Sequence, residues 1–281
     1  MLNLMYITNR PDVAMIAESA GVGRIFVDME YIGKAERQGG MDTVQSRHTL
    51  DDVQRISTAL QKAELLVRVN PMHEASSCYG SSREEIEGAI ANGAKVLMLP
   101  FFKTVQEVAD FVGIVQGRAK VMPLIETPEA VSCLDDLLFL DGIDELYVGL
   151  NDLSLGYGRK FMFDLLCDGT VENICSKIAK RGIPYGFGGI AALGKGLLPA
   201  ELIIAEHYRL GSTCAILSRS FCNVDRTSHL GDIAKTFVEG IKAIRQYEEQ
   251  VNEHLRFFER NLGFIRVAVE KIHNQMASKQ D

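Results

Sequence analysis

No apolar run in this 281-residue chain approaches the roughly 20 residues that a membrane-spanning helix needs. The first residues, MLNLMYITNRPD, also lack a basic segment ahead of a long apolar stretch. The expectation is therefore a cytoplasmic protein with no membrane partner. Clustered positive charge is missing as well: Lys and Arg number 30 against 37 Asp and Glu, and the net charge is -7. Phosphate backbones are held by a concentrated basic face, so no nucleic acid partner is expected. Six cysteines show no CxxC pairing, which argues against both a structural zinc site and a disulfide framework. No GxGxxG opens a first helix and no GxxxxGK[ST] loop occurs, which removes the usual nucleotide-binding signatures.

What the chain does have is ordinary globular composition, 47% hydrophobic and 24% charged, and a regular alternation. Eight short apolar runs (LNLMYI, RIFVDM, LLVRVN, KVLMLP, KVMPLI, ELYVGL, IPYGFG and STCAILS) are separated by helical patterns such as PDVAMIAESAG and REEIEGAIANG. Strands that are apolar on both faces suit a parallel sheet covered by helices, and eight such units predict an α/β fold, a closed (β/α)8 TIM barrel, over residues 1–226. Residues 227–281 read as a helical extension. An apolar stripe from Leu230 to Ile272 advances in twelve steps averaging 3.5 residues. A single helix of that length, on the order of 60 Å at 1.5 Å per residue, would overrun its own barrel and pack on another subunit, which predicts a homo-oligomer. The alternative is a break at Gly263 into two helices that fold back.

In such a barrel the chemistry collects at the C-terminal ends of the strands. Glu126 ends VMPLIET, with Thr127 and Pro128 reading as a helix cap and first turn. Asp152 follows ELYVGLN. Two carboxylates delivered from neighbouring strand ends offer a hard divalent cation two oxygen ligands, with water and substrate completing its coordination. Asp28 and Glu30 close strand two, and Arg68 lies inside the apolar run ELLVRVNP, where burial is costly unless an anion meets the guanidinium. That anion is either a substrate carboxylate or a strand-end acid. With the amides of Gly149, Leu150, Asn151 and Asp152, this set would hold a 2-keto acid and stabilise its enolate.

These residues occur in an ordered series of motifs: AGVGRIFVDMEY, LLVRVN, IANGAKVLMLPFFKTVQEV, PLIETPEAV and GLNDLSLGYG. In that order and spacing, with Glu126 and Asp152 26 positions apart (152 - 126), the chain resembles the HpcH/HpaI aldolase and citrate lyase family of phosphoenolpyruvate/pyruvate barrels over roughly residues 10–225. The resemblance implies that Glu126 and Asp152 bind Mg2+ or Mn2+ and that Arg68 contacts the pyruvyl carboxylate or enolate oxygen. It further implies that the backbone of 149–152 cradles the carboxylate, while Asp28 and Glu30 orient the metal's waters. The implied reaction is reversible carbon–carbon bond cleavage between a 2-keto acid and an aldehyde.

Several positions depart from the family pattern. Tyr31 stands where the aldolases usually carry a histidine as general base, and Leu124 and Leu150 replace an expected Gln and Pro. A tyrosine is protonated at neutral pH, so Tyr31 suits an acid better than a base. His48, in the loop after strand two, and His73, in NPMHEAS, are the candidates to supply a base, each otherwise a loop histidine. The citrate lyase-like branch would take a CoA thioester, but no basic cluster suits the CoA phosphates. GLNDLxLGYG is similar to a motif in aldolase-like proteins associated with surface-polysaccharide biosynthesis, which implies a sugar-derived aldehyde. The glycine-rich GFGGIAALGKG, with Arg219 near the end of strand eight, reads either as a site for a phosphorylated substrate or as a tight turn. Phosphoryl transfer on phosphoenolpyruvate and a non-catalytic metal and keto-acid binding protein are the readings from other classes.

Overall fold

The computed structural model describes residues 1–34, 46–224, 227, 229–253 and 255–278. Among these, eight parallel strands close a barrel in sequence order: β1 Asn3–Ile7, β2 Arg24–Asp28, β3 Glu64–Arg68, β4 Val96–Leu99, β5 Lys120–Ile125, β6 Leu146–Val148, β7 Tyr185–Ile190 and β8 Cys214–Leu217. The (β/α)8 architecture expected from the alternation is the one formed. Each strand is buried on both faces, which is why its sequence reads as a continuous apolar run. Phe26, Leu66, Met98, Met122 and Tyr147 fill the interior, while Ile25, Val27, Leu97 and Val121 pack outward against the helices. At Gly186 a side chain would meet the Cys214 carbonyl at 2.3 Å and the Tyr147 ring at 2.5 Å, so only glycine lets β7 close on β8 there.

Helix starts are set by local chemistry. Capping boxes at Thr49 with Asp52, Ser81 with Glu84, and Thr104 with Glu107 open the helices Leu50–Ala59, Ser82–Ala91 and Val105–Val115. Thr127 caps the short helix Pro128–Ser132 as the sequence predicts, its hydroxyl accepting the Ala130 N–H at 3.0 Å. At the N-terminal end of the barrel, Arg24 is buried and forks onto Glu145, its Nη1 at 2.7 Å, with Nε donating to Glu64 at 2.8 Å. That end is thereby closed by an ion cluster, leaving function to the other.

The tail differs from the single long helix that its stripe suggests. Two helices, Leu230–Glu253 and Leu255–Ala277, run in opposite directions on the molecule's own surface. Phe237 packs edge-on to Tyr6 near the C-terminal end of β1, whereas Arg245 and Glu248 bond the backbone of Leu2 at its start. The second helix returns: Phe258 stacks on Tyr208, the same residue whose hydroxyl donates to Glu248, and Asn261 then reaches the Leu202 carbonyl at 3.0 Å. Further along, His273 bonds Asp164 at 2.6 Å. Gly263 lies inside this second helix and breaks nothing. The first tail helix packs between Pro11–Ser19 and Ala200–Arg209, the place of an eighth barrel helix, so the length argument for a second subunit no longer applies. The boundary expected at 226 falls outside the described residues. No described helix is long and apolar enough to cross a membrane.

Candidate active site

The strand-end acids are brought together as the sequence implies. Glu126 and Asp152, both buried, line one cleft of about 380 Å3 with Phe101, Lys103 and Leu155. Glu126 is tightly held: its Oε1 accepts the Phe101 N–H at 2.9 Å, and the residue facing its other side is Gly149, where a Cβ would lie 2.8 Å from Oε2 and 2.9 Å from the Glu126 Cβ. Phe101 reaches that position with a left-handed backbone, φ 50°, a conformation that costs a non-glycine residue about 1–2 kcal/mol. Burial, then the neighbouring Glu30 carboxylate, pushes the Glu126 carboxyl well above the ordinary range; Asp152 adds to this and Arg68 opposes it.

Beside this cleft stands an ion cluster. Arg68 is partly buried, its side chain 15% exposed, and forks onto Asp28 with Nε and Nη2, both at 2.8 Å, while Nη1 lies 3.3 Å from Glu30 Oε2. The strand-end acid, one of the two anions expected for Arg68, is in contact with it. Burial works against the Asp28 carboxylate, yet Arg68 and Lys34 pull it below its usual range. Lys34, which the sequence reading missed, is itself buried, its Nζ 3.0 Å from Asp28 Oδ2 and 3.4 Å from Glu30 Oε2. The i, i+4 spacing from Glu30 was the available signal. Two acids and two cations make up this cluster.

The histidines fall elsewhere. His48 accepts the Asp28 N–H on Nδ1 at 3.0 Å, and burial lowers its pKa, so the neutral ring carries its proton on Nε2 and acts as a donor. His73 has Nδ1 2.7 Å from the Pro71 carbonyl and Nε2 3.0 Å from the Gly80 carbonyl, a structural clamp on its loop. Tyr31 is half exposed; burial of its ring, then Glu85, raises its phenol, which stays protonated at neutral pH. Asn70 positions that turn, its Oδ1 accepting the N–H groups of Tyr31 and Ile32, both at 2.9 Å.

Gly149 caps the short helix Leu150–Gly156, so the first-turn amides of Leu150, Asn151 and Asp152 precede any intrahelical acceptor. Leu150 is buried, one of its methyls filling the space beside Gly188, and Asn151 Nδ2 lies 3.4 Å from Asp152 Oδ1. Leu124 faces the barrel interior. In the glycine-rich loop the Gly194 N–H donates to Glu201 at 2.8 Å. Arg219 is exposed after β8.

Among the described residues no group of three or more His, Cys, Asp or Glu is arranged to hold a metal. The donor set is two carboxylates, which fits a hard divalent cation that keeps several waters.

The family model described as HpcH/HpaI aldolase/citrate lyase matches residues 3–170, well over half the chain. The protein belongs to that family, and family and fold together support a lyase of the aldolase/citrate lyase type. Among solved structures it is similar to an HpcH/HpaI aldolase from Desulfitobacterium hafniense DCB-2, with 17% identity, TM-score 0.56, and 87% of this chain and 93% of that one covered. It is also similar to an HpcH/HpaI aldolase/citrate lyase family protein from Burkholderia cenocepacia J2315, with 16% identity, TM-score 0.59, and coverage of 89% and 94%. RipC from Yersinia pestis aligns at 12% identity and TM-score 0.56, covering 87% and 94%. A search of curated proteins returns no match.

Proposed function

We propose that this protein is a divalent-metal-dependent carbon–carbon lyase that acts through a pyruvate-type enolate of a 2-keto acid, with an aldehyde as the second reactant. The observation that carries the reading is the buried Glu126–Asp152 pair at one cleft, with Glu126 pushed toward protonation by burial and then by its acidic neighbours. Glu126 and Asp152 would hold Mg2+ or Mn2+, which when bound supplies Lewis-acid withdrawal of charge from the keto oxygen.

The chain's own groups bind and orient the reactants, and a water in the cleft accepts the proton lost from the keto acid's methyl carbon. The first-turn amides of Leu150, Asn151 and Asp152 bind the substrate carboxylate at a helix start. Arg68 presents Nη1 to the enolate oxygen while Asp28 fixes the opposite edge of its guanidinium. Glu30 and Asp28 accept hydrogen bonds from water in the cleft and so orient it. Tyr31, held as the phenol, gives its proton to the aldehyde oxygen when the carbon–carbon bond forms. The apolar outer faces of the tail, with Val238, Phe264 and Val267 about half exposed, support self-association through those helices.

Exchange of the pyruvate methyl protons in D2O tests enolate formation without knowledge of the aldehyde. Metal-dependent exchange that disappears in Glu126→Gln and Asp152→Asn is the expected result. A second reading, a keto-acid binding protein without turnover, is favoured by the commitment of both ring nitrogens of His73 and of Nδ1 of His48 to other partners. It predicts that pyruvate binds but its methyl protons do not exchange.

A further inference from the structure

A second cleft, of about 320 Å3, opens between the turns after β2 and β3, lined by Tyr31, His48, Asn70, Tyr79 and Glu85 among others. That volume lies within the ~300–1,000 Å3 of small-molecule sites. Its chemistry differs from that of the Glu126–Asp152 cleft. No described lysine or arginine lines it, so among the described residues a phosphate or carboxylate would find no counter-ion. Its acids are already engaged: Glu84 accepts the Ser81 N–H and hydroxyl at 2.7 and 2.8 Å, and Glu85 accepts Asn70 N and Nδ2 at 3.1 and 2.8 Å, with burial raising its carboxyl toward the neutral form. A cation therefore gains little there.

What the cleft does offer is aromatic surface and neutral hydrogen-bonding groups. The rings of Tyr31 and Tyr79 stand edge to face with centroids 6.5 Å apart, and His73, which also lines the cleft, meets Tyr79 edge to face at 5.2 Å. Tyrosines present an apolar face and a polar tip. His48, neutral with its proton on Nε2, adds a donor. Those features match a ring that carries C–H groups on its faces and hydroxyls on its rim.

We infer that this cleft, lined by Tyr31, Tyr79 and His48, binds an uncharged, hydroxyl-bearing ring of monosaccharide size. Resting on the lyase reading, it is the seat of the distal part of the aldehyde reactant. The ring cleft abuts the ion cluster through its lining: Tyr31 follows Glu30 in sequence, and His48 accepts the amide of Asp28, the residue whose side chain fixes Arg68. A ring held against Tyr31 and Tyr79 would thus place an aldehyde carried on it toward the acid cluster.

Saturation-transfer NMR on metal-free full-length protein, with methyl α-D-glucopyranoside, methyl α-D-galactopyranoside and N-acetylglucosamine as uncharged probes and glucose 6-phosphate as the charged control, tests this. Transfer to at least one uncharged probe is expected, exceeding transfer to the phosphate ester and falling at least fivefold in Tyr79→Ala and in Tyr31→Ala. Tyr31→Phe and Tyr79→Phe, which keep the rings, should retain most of it. No transfer to any uncharged probe, preference for the phosphate ester, or signals indifferent to both alanine variants would overturn the assignment. Because the assay needs neither metal nor pyruvate, its failure leaves the lyase reading standing. A failure of pyruvate exchange alone would instead remove the link to catalysis and keep the ring site.

Discussion

The Phe101 amide, aimed by a left-handed backbone, donates to Glu126 Oε1 at 2.9 Å, while Gly149 presses on the other face of the same side chain. Glu126 is therefore held in one orientation before any ligand arrives. Gly149→Ala would drive a methyl into Oε2 and Cβ, both closer than 3.0 Å, and force the carboxylate out of place. Mn2+ affinity, read by electron paramagnetic resonance, should fall by roughly 10–100-fold, with a stability loss of about 1–3 kcal/mol.

Asp28 links the ion cluster to pH. Its carboxyl is held below the usual range in the fold, so its contribution to stability is fully present above the unfolded pKa of about 3.9 and is lost as pH falls toward the folded value. Asp28→Asn should cost about 3–5 kcal/mol at pH 7, because Arg68 and Lys34 lose their shared acceptor. Denaturant titrations should show the gap between wild type and variant narrowing below about pH 4. A gap that stays constant down to pH 2 would contradict the assignment.

Lys34 balances that cluster from within the fold. Lys34→Met leaves two buried acids facing Arg68 alone and should lower stability by about 3 kcal/mol or more. Lys34→Arg, which restores the charge, should recover part of the loss in the same thermal melts.

Much of this was legible in the sequence. The barrel follows from strands apolar on both faces, and Glu126, Asp152, Asp28, Glu30 and Arg68 each sit at or near a strand end. Lys34 was missed because charge pairing was read only at strand ends, and Lys34 lies beyond one. Nothing in LPFFKT announces that Phe101 adopts positive φ, since the cause is tertiary: the hydrogen bond to Glu126 and the burial of Phe102. The tail stripe showed which residues would be buried, but periodicity continues across a reversal of direction. The contacts of Tyr208 with both Glu248 and Phe258 are what show the hairpin.

Glu126→Gln separates charge from shape. In the fold the Glu126 carboxyl is raised above the usual range, so charging it costs stability as pH rises from the unfolded pKa of about 4.3. The metal-free variant should melt at or above the wild-type temperature at pH 8, while metal no longer raises its melting temperature. A variant that melts well below metal-free wild type at pH 8 would mean that Glu126 is a structural acid.

Calorimetric titration with oxalate, a planar mimic of the pyruvate enolate, tests the central claim most directly, using chelated, Mg2+-loaded and Mn2+-loaded protein. The account predicts binding only with metal present, abolished in Asp152→Asn. Oxalate that binds equally well to the chelated protein, or fails to bind in every form, would contradict it.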